Sequence, residues 1–403
     1  MKRPALYALA ALAGLATGFG VWRLVAGPDA EPAPRRAPSP RYEPDPDDAP
    51  RQRVALGSLP KQEPKAASGL VDARWAETNR EGIRALDAGD AERAAALFDE
   101  CRVANPTEKV FAENEAEALA RGASRLLETG GAKERADAIA KLKRALELAP
   151  SRNDVEARLR QAEKLAESEQ GLWTDTSEHF ELAYDGERSD LLWSSYQITG
   201  ELESAYQDLG EHFGRWPVEN GRPRIRVVLY RRAGFLDATG IGHWAGGLYD
   251  GTIRVPVEEL GREKRELARV LRHETVHAFV AEAGGRNVPG WLNEGLAQWL
   301  EHKDLGDQQG SIRAAREGLR GKPLLSLADL KKSLATLKDE ETIHRAYQQS
   351  LAFVDHLERT YGERVLYELV VGCKSGATVD ATFQSRTAVA LDAALADLAR
   401  ELE

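Results

Sequence analysis

A His-Glu-x-x-His pattern in a long predicted helix restricts this chain more than any other feature of its sequence. The pattern spans residues 273–277 and lies in a proline-free segment with apolar residues at helical spacing, which stops at Gly284 and a second glycine. Because residues four apart project from the same side of a helix, His273 and His277 can bind one Zn²⁺ together. Glu274 then leans toward the water position rather than the metal, which suits a general base.

A third protein ligand is expected from the helix that follows. Residues 289–297, with the sequence PGWLNEGLA, begin a helix after a turn rich in glycine and proline. Two helices joined by a short loop can run antiparallel, so Glu294 in the first turns of the second helix would meet the histidine pair. Two simpler interpretations remain open: Glu294 as an acidic residue favoured by the helix dipole, and the histidines as incidental residues of an exposed helix.

These motifs resemble those of the gluzincin metallopeptidases, in which a glutamate inside an N-E-G-x-A-like motif follows H-E-x-x-H on the next helix. More closely, residues 176–403 look like the bacterial peptidase MA-like domains that often follow tetratricopeptide repeats. The resemblance implies that His273, His277 and Glu294 bind one zinc ion and that Glu274 is the catalytic base. It also implies an α+β zincin-like fold with a small mixed sheet, an active-site helix and a helical C-terminal half.

A neutral hydrogen-bond donor is expected near the metal, because attack of water on a peptide carbonyl creates an oxyanion. Tyr347 is the first choice as a catalytic residue, since the related domains carry a Tyr-x-x-Ser at this point; the alternative is an aromatic residue that only packs. His243 and Tyr249 are weaker candidates. The sequence does not identify the groups that orient the two histidines.

Strand-like segments precede the predicted metal helix. Residues 179–184 and 224–230 alternate in polarity as strands do, and residues 245–256 predict a hairpin. In zincin-like enzymes an edge strand beside the metal pairs with the substrate backbone. Gly246–Tyr249 and Thr252–Val255 are the two candidates for that edge, and an ordinary surface hairpin is the equal alternative.

The N-terminal part of the chain predicts an attachment to a membrane. Residues 4–22 contain no charge and would span about 28 Å as a helix, near the thickness of a bilayer core. They follow Lys2 and Arg3, which favour an orientation with the rest of the chain outside the cytoplasm. We therefore expect an inner-membrane anchor or a cleaved signal segment, with membrane contact through residues 4–26 and a periplasmic body.

A helical repeat module is predicted between the N-terminal segments and the metal domain. In each of two stretches, small residues and a helix-ending proline fall at the spacing of a tetratricopeptide repeat, and the first stretch also has Phe98 at a repeat position. A generic helical bundle is the alternative. Two units fall below the usual three, so the module is expected to lean on the following domain. Its concave face would hold a peptide or protein partner; alternatively, the module serves only as a spacer. The predicted segments are 1–26 (anchor or signal), 27–68 (proline-rich, disordered linker), 69–171 (repeat module) and 172–403 (metallopeptidase domain).

Composition removes some classes of function. The net charge is −10, which argues against nucleic acid as a partner. Cys101 and Cys373 fall in different predicted domains and form neither a C-x-x-C pattern nor a disulfide framework. The sequence thus predicts an extracytoplasmic zinc metallopeptidase that hydrolyses peptide bonds in a peptide or protein substrate. The competing prediction is a non-catalytic envelope scaffold that uses its repeats and keeps a vestigial or occluded metallopeptidase fold.

Overall fold

The computed structural model describes most of the chain from residue 59 onward. The described residues are 59, 61–68, 71–129, 131–218, 223–239, 247–258, 260–332, 334, 337 and 339–403. The predicted membrane segment, residues 4–26, lies outside them, as do His243 and Gly246. Within these ranges, no helix combines the length and the apolar composition needed to cross a membrane.

Five consecutive helices pack against one another in chain order. They are α1 (Ala73–Asp87), α2 (Ala91–Ala104), α3 (Lys109–Thr129), α4 (Ala132–Leu148) and α5 (Asn153–Ser168). Asp72 caps α1 and Asp90 caps α2, each by accepting a hydrogen bond from a main-chain N–H of the first turn. A Cβ atom at Gly82 of α1 would lie 2.6 Å from the ring of Phe98 on α2, so glycine permits the close packing of these helices. The assignment of tetratricopeptide units stays a prediction.

Residues 61–68, from the proline-rich segment expected to be a linker, have no regular secondary structure. They lie against α1 and α3 and hydrogen-bond to side chains of both helices.

A five-stranded mixed sheet follows the helices, and the observed architecture agrees with the predicted α+β class. The strands are β1 (Trp173–Thr176), β2 (Phe180–Tyr184), β3 (Ile225–Tyr230), β4 (Leu248–Tyr249) and β5 (Thr252–Pro256). Their order is β1-β2-β3-β5-β4, with parallel pairing of β2 with β3 and of β3 with β5. The expectation that Thr252–Val255 forms an edge was wrong, because β5 pairs with β3 on one side and with β4 on the other. Of the two candidates, the edge position belongs to β4.

Helices pack against the sheet and build the C-terminal half. They are α6 (Ser189–Phe213), α7 (Arg232–Thr239), α8 (Leu260–Gly284), α9 (Gly290–Leu305), α10 (Gln308–Leu319), α11 (Glu340–Tyr361), α12 (Glu363–Lys374), α13 (Val379–Thr387) and α14 (Leu391–Glu401). Helix α8 contacts α6, α9, α12, β4 and β5, and α9 in turn packs against α11. The two central helices of the domain are therefore α8 and α9, which carry the motifs singled out in the sequence.

A buried ion cluster joins the five-helix part to the sheet. Its centre is Glu169, which follows α5 and is 8% exposed. The Glu169 carboxylate accepts hydrogen bonds from Arg135 of α4 at 2.7 Å and from the hydroxyl of Tyr230 on β3 at 2.8 Å. It also accepts a hydrogen bond from Arg254 of β5 and, at 3.4 Å, from Arg226 of β3. One carboxylate at the end of α5 thus contacts helix α4 and the two strands β3 and β5.

Candidate metal centre

The His-Glu-x-x-His pattern lies in the middle of α8, whose position the core fixes. Leu271, Val276 and Phe279 are each at most 2% exposed and pack in the main hydrophobic core. The opposite side of the same turns carries His273 and His277, whose Nε2 atoms lie 3.1 Å apart. The four-residue spacing therefore brings the two imidazoles together, as expected from helix geometry.

Glu294 reaches the histidine pair from α9. The first turn of this helix is fixed by Trp291, which is 2% exposed and packs against the ring of Phe353 on α11. The Oε2 atom of Glu294 lies 3.6 Å from Nε2 of His273 and 3.6 Å from Nε2 of His277. The possible ligand atoms of the three residues lie within 4.8 Å of one another. The structure thus brings together the three residues that the sequence predicted as metal ligands.

Each histidine is oriented by a hydrogen bond from its other ring nitrogen to α9. Nδ1 of His273 lies 2.5 Å from Oε2 of Glu301, and Nδ1 of His277 lies 3.0 Å from Oδ1 of Asn293. Glu301 is 1% exposed and also accepts a hydrogen bond from Arg269 at 2.6 Å. Such outer partners commonly fix the tautomer of a metal-binding histidine. Sequence reasoning had not found Glu301 or Asn293.

These hydrogen bonds determine which nitrogen of each histidine is free to bind a metal. A carboxylate and an amide oxygen are acceptors, so each Nδ1 carries the hydrogen and each Nε2 presents a lone pair. The lone pairs of both Nε2 atoms and the Glu294 carboxylate therefore point at one small region. A positive charge there reduces the repulsion among these acceptor atoms. Burial alone would lower the pKa of His273, but Glu301 and Glu294 outweigh burial and raise that pKa well above its usual value. The electrostatics of the site thus favour a positive charge among these three side chains.

The separations between the three inner atoms fit a zinc ion. Bonds of about 2.0–2.2 Å in a tetrahedral zinc site place neighbouring ligand atoms about 3.3–3.5 Å apart. The observed separations of 3.1, 3.6 and 3.6 Å bracket that range. The side chains of His273, His277 and Glu294 are 17%, 10% and 13% exposed, so each keeps some contact with solvent.

Glu274 lies beside the cluster but forms no part of it. The residue is 5% exposed, and its Oε2 atom is buried without a hydrogen-bond partner within the described residues. Burial raises the pKa of Glu274 above its usual value, against the influence of His277 and His273. The main chain at Gly247 passes so close that a Cβ there would lie 2.6 Å from Oε1 of Glu274. A carboxyl group with a free oxygen and a raised pKa is suited to accept and return a proton.

The charges of the metal cluster act on Tyr347, whereas those that act on Tyr249 come from other residues. Burial raises the pKa of the Tyr347 hydroxyl well above its usual value, and the negative charges of Glu294 and Glu274 raise it further. The hydroxyl therefore stays protonated and acts as a donor. Burial also raises the pKa of Tyr249, but its charged neighbours are Asp250 and Glu282. Neither Asp250 nor Glu282 belongs to the cluster, and His243 lies outside the described residues.

Comparison with known proteins agrees with the placement of this site in the C-terminal half of the chain. No curated protein matches the sequence. The family model described as "Peptidase MA superfamily" matches residues 241–398, a range that contains all of the motifs discussed above. A peptidase domain implies peptide or protein substrates. The match of residues 241–398 to this family model supports a zincin-like peptidase domain in this part of the chain.

Proposed function

We propose that this chain is a zinc-dependent peptidase whose metal ligands are His273, His277 and Glu294. The observation that carries the proposal is the convergence of three acceptor atoms, separated by 3.1, 3.6 and 3.6 Å, on one region. Without a positive charge there, from a metal ion or from protonation of a histidine, this arrangement brings lone pairs into repulsive contact. The orientation of both rings by Glu301 and Asn293 gives further support, because it keeps both Nε2 atoms available as ligands.

The residues of the chain have separate roles in the proposed hydrolysis. Zinc bound at this site would supply Lewis-acid polarisation of the substrate carbonyl and activation of the attacking water. Glu274 accepts the proton of that water on Oε2, for which the described part of the chain offers no hydrogen-bond partner, and delivers it to the leaving amine. Tyr347 donates a hydrogen bond to the oxyanion that forms on the carbonyl oxygen. The edge strand β4, next to Glu274 through Gly247, is the proposed place for pairing with an extended substrate backbone.

The burial of Glu274 favours an enzyme over a scaffold with a vestigial site. A buried carboxyl oxygen without a hydrogen-bond partner destabilises the fold by an amount on the order of 1–3 kcal/mol. A scaffold that had lost catalysis would gain stability by replacing this residue. Oε2 of Glu274, which has no hydrogen-bond partner among the described residues, is therefore better explained by a function in proton transfer.

The proposed location of the enzyme is outside the cytoplasm. The support comes from the sequence: the charge-free residues 4–22 follow Lys2 and Arg3, and the proline-rich residues 27–58 separate them from the helices. Residues 4–26 would connect the protein to the inner membrane as an anchor or direct its export as a signal segment.

Metal content and turnover of matched variants test the proposal. We expect about one zinc per chain in the wild type and in Glu274→Gln, and weaker binding in Glu294→Ala, which removes a ligand. Against a peptide library, Glu274→Gln should reduce turnover by about 10²–10⁴, the range for loss of a general base. Metal analysis by mass spectrometry and the initial cleavage rate are the two measurements.

A surface variant provides the control for this experiment. Glu317 on α10 is exposed, so Glu317→Gln should leave both zinc content and turnover unchanged. Wild-type protein that binds no metal at neutral pH with zinc supplied would contradict the assignment of the ligands. Zinc binding with equal turnover in the wild type and Glu274→Gln would retain the ligands and remove the assigned base.

A further inference from the structure

An irregular segment lies in a groove of the five-helix part and is held there by its main chain. Asn114 of α3 contacts both polar groups of one residue: its Oδ1 accepts from the N–H of Lys65 at 2.9 Å, and its Nδ2 donates to the Lys65 carbonyl at 2.9 Å. Asn79 of α1 donates to the same carbonyl at 3.0 Å. Contacts to backbone groups alone do not depend on the identity of the bound side chain.

The same pattern repeats three residues earlier in the segment. The N–H of Gln62 donates to Glu117 at 3.0 Å, and the Gln62 carbonyl accepts from Arg121 at 2.8 Å. A polyproline II helix repeats every three residues, so its backbone groups at positions 62 and 65 face the same side. Pro64 lies between them, where the groove requires no N–H donor. The groove thus matches an extended, proline-containing chain.

The buried asparagines of the groove contact both each other and the irregular segment. Asn79 and Asn114 are 0% and 2% exposed and hydrogen-bond to each other at 2.9 Å. Buried amides stabilise a protein only when their donors and acceptors are satisfied, and here the main chain of Lys65 satisfies them. The segment therefore completes the hydrogen bonding of this buried amide pair.

Side-chain contacts and free space indicate what else the groove accepts. Nζ of Lys65 lies 2.5 Å from Glu113, and Ser68 donates to Glu108 at 2.7 Å. Leu59 packs against the helical core at the other end of the segment. There the groove continues into a cavity of about 480 Å³ whose lining includes Leu86, Ala91, Ala120, Ser124 and Arg125. The carboxylates favour a basic residue in the occupant, and the cavity provides room for a larger apolar side chain than Leu59.

From these contacts we infer that the groove between α1 and α3 is a binding site for an extended polypeptide of a partner protein, and that residues 61–68, together with Leu59, occupy it as an exchangeable internal ligand. The partner segment has a polyproline II conformation and carries a lysine or arginine at the position of Lys65. The internal segment is joined to α1 by a few residues, so its effective concentration at the groove is on the order of millimolar. It therefore excludes weak ligands and yields to a partner that binds more tightly. This inference does not depend on the metal centre.

The experiment uses the full-length chain and a fluorescent peptide with the sequence of residues 59–68. Lys65→Pro removes the N–H that donates to Asn114, so the internal segment should leave the groove. If the peptide alone binds with a Kd near roughly 100 μM, the tethered competitor lowers its apparent affinity about tenfold. Fluorescence anisotropy should therefore show about tenfold tighter peptide binding to Lys65→Pro than to the wild type.

Two further variants separate backbone recognition from other effects. Lys65→Ala loses only the exposed contact with Glu113, so its peptide affinity should stay within about threefold of the wild type. Adding Arg121→Ala to Lys65→Pro removes the donor to the Gln62 carbonyl and should weaken peptide binding by about fivefold or more. Arg121 lies at the groove surface, with its side chain 18% exposed, and circular dichroism would verify that this variant keeps its helices.

Three results would overturn the inference. The first is equal peptide affinity in Lys65→Pro and Lys65→Ala, and the second is binding that does not respond to Arg121→Ala. The third is a wild-type dimer that Lys65→Pro abolishes, because the occupant of the groove would then be the segment of a second copy. Tighter binding to Lys65→Pro that Arg121→Ala reverses would support an exchangeable polypeptide site.

Discussion

At the scale of single residues, the site depends on which nitrogen of each histidine is left free. Glu301 fixes the tautomer of His273, because its buried carboxylate accepts the Nδ1 hydrogen. Arg269 in turn donates a hydrogen bond to the same carboxylate. Asn293 performs the same task for His277 with a neutral oxygen. The two rings therefore have unequal supports, and the charged one is expected to contribute more to metal affinity.

The substitution Glu301→Gln tests this unequal support. A neutral amide oxygen still accepts from Nδ1 but loses the charge-assisted bond, so zinc affinity should fall about 10–100-fold. Glu266→Gln is the matched control, because Glu266 also bonds to Arg269 but is 61% exposed and does not contact His273. Competition for zinc with a chromogenic chelator measures both variants. Equal affinities would show that the orientation of His273 does not depend on the Glu301 charge.

At the scale of elements, the site depends on how closely α9 approaches α11. Gly295, next to the ligand Glu294, is a helical glycine, which costs about 1 kcal/mol relative to alanine. A Cβ at this position would lie 2.5 Å from the carbonyl oxygen of Ser350 on α11 and 2.6 Å from the side chain of Val354. The close packing of α9 against α11 therefore explains the glycine. The same packing determines the position of Glu294 relative to α8.

The substitution Gly295→Ala should therefore be destabilising although it raises helix propensity. The methyl group has to push α9 away from a backbone atom, at a cost of about 1–3 kcal/mol, and should displace Glu294 and weaken zinc binding. Gly310→Ala on α10 is the control: no atom lies within 4 Å of its added Cβ, so the expected gain is about 0.5–1 kcal/mol. Thermal unfolding with and without zinc measures both. A stabilised Gly295→Ala would rule out the packing explanation.

The limits of prediction from the sequence also belong to this scale. His273, Glu274 and His277 follow from spacing within one helix, and their proximity is a local property. Glu301 depends on how α8 and α9 align, which non-local contacts such as the one at Gly295 decide. A sequence signal did exist, since Glu301 is seven residues after Glu294 and so lies on the same face of the helix two turns later.

Two other expectations show how non-local pairing changes an interpretation. The sequence predicted the hairpin, but only the pairing of β5 with β3 decides that Thr252–Val255 lies inside the sheet rather than at its edge. Residues 61–68 contain few large apolar residues, which predicts a linker, yet their main chain hydrogen-bonds to α1 and α3. Such contacts leave no hydrophobic pattern in the segment, because side chains on other elements provide them.

At the scale of the whole molecule, the Glu169 cluster connects the five-helix part to the peptidase domain. Arg254 of this cluster is 2% exposed and, besides Glu169, contacts Asp250 in the turn between β4 and β5 at 3.4 Å. The connection therefore extends from α4 and α5 to the strand that leads into α8. The two parts should therefore lose stability together when the cluster is disrupted.

The acid dependence of stability tests this role of Glu169. Burial alone would raise its pKa, but Arg254, Arg135 and Arg226 outweigh burial and lower the pKa from 4.5 to about 2. A carboxyl with a lowered pKa stabilises the fold fully above pH 4.5, and this contribution is lost as the pH falls toward 2. At roughly 1.4 kcal/mol per pKa unit, the contribution is about 3 kcal/mol. Stability should therefore decrease between pH 4.5 and 2 in the wild type.

The variant Glu169→Gln should remove this part of the acid dependence and destabilise the neutral protein by about 3–5 kcal/mol, because it leaves buried arginines without their shared partner. Urea unfolding at pH 7, 4.5 and 3, with a chelator present so that metal binding does not contribute, measures the free energy of unfolding. Glu181→Gln is the control, since Glu181 also bonds to Arg226 but its side chain is 37% exposed and should contribute little. A parallel loss of stability in the wild type and Glu169→Gln as the pH falls would mean that Glu169 has the same pKa in the folded and the unfolded chain. The cluster would then not be what connects the two parts.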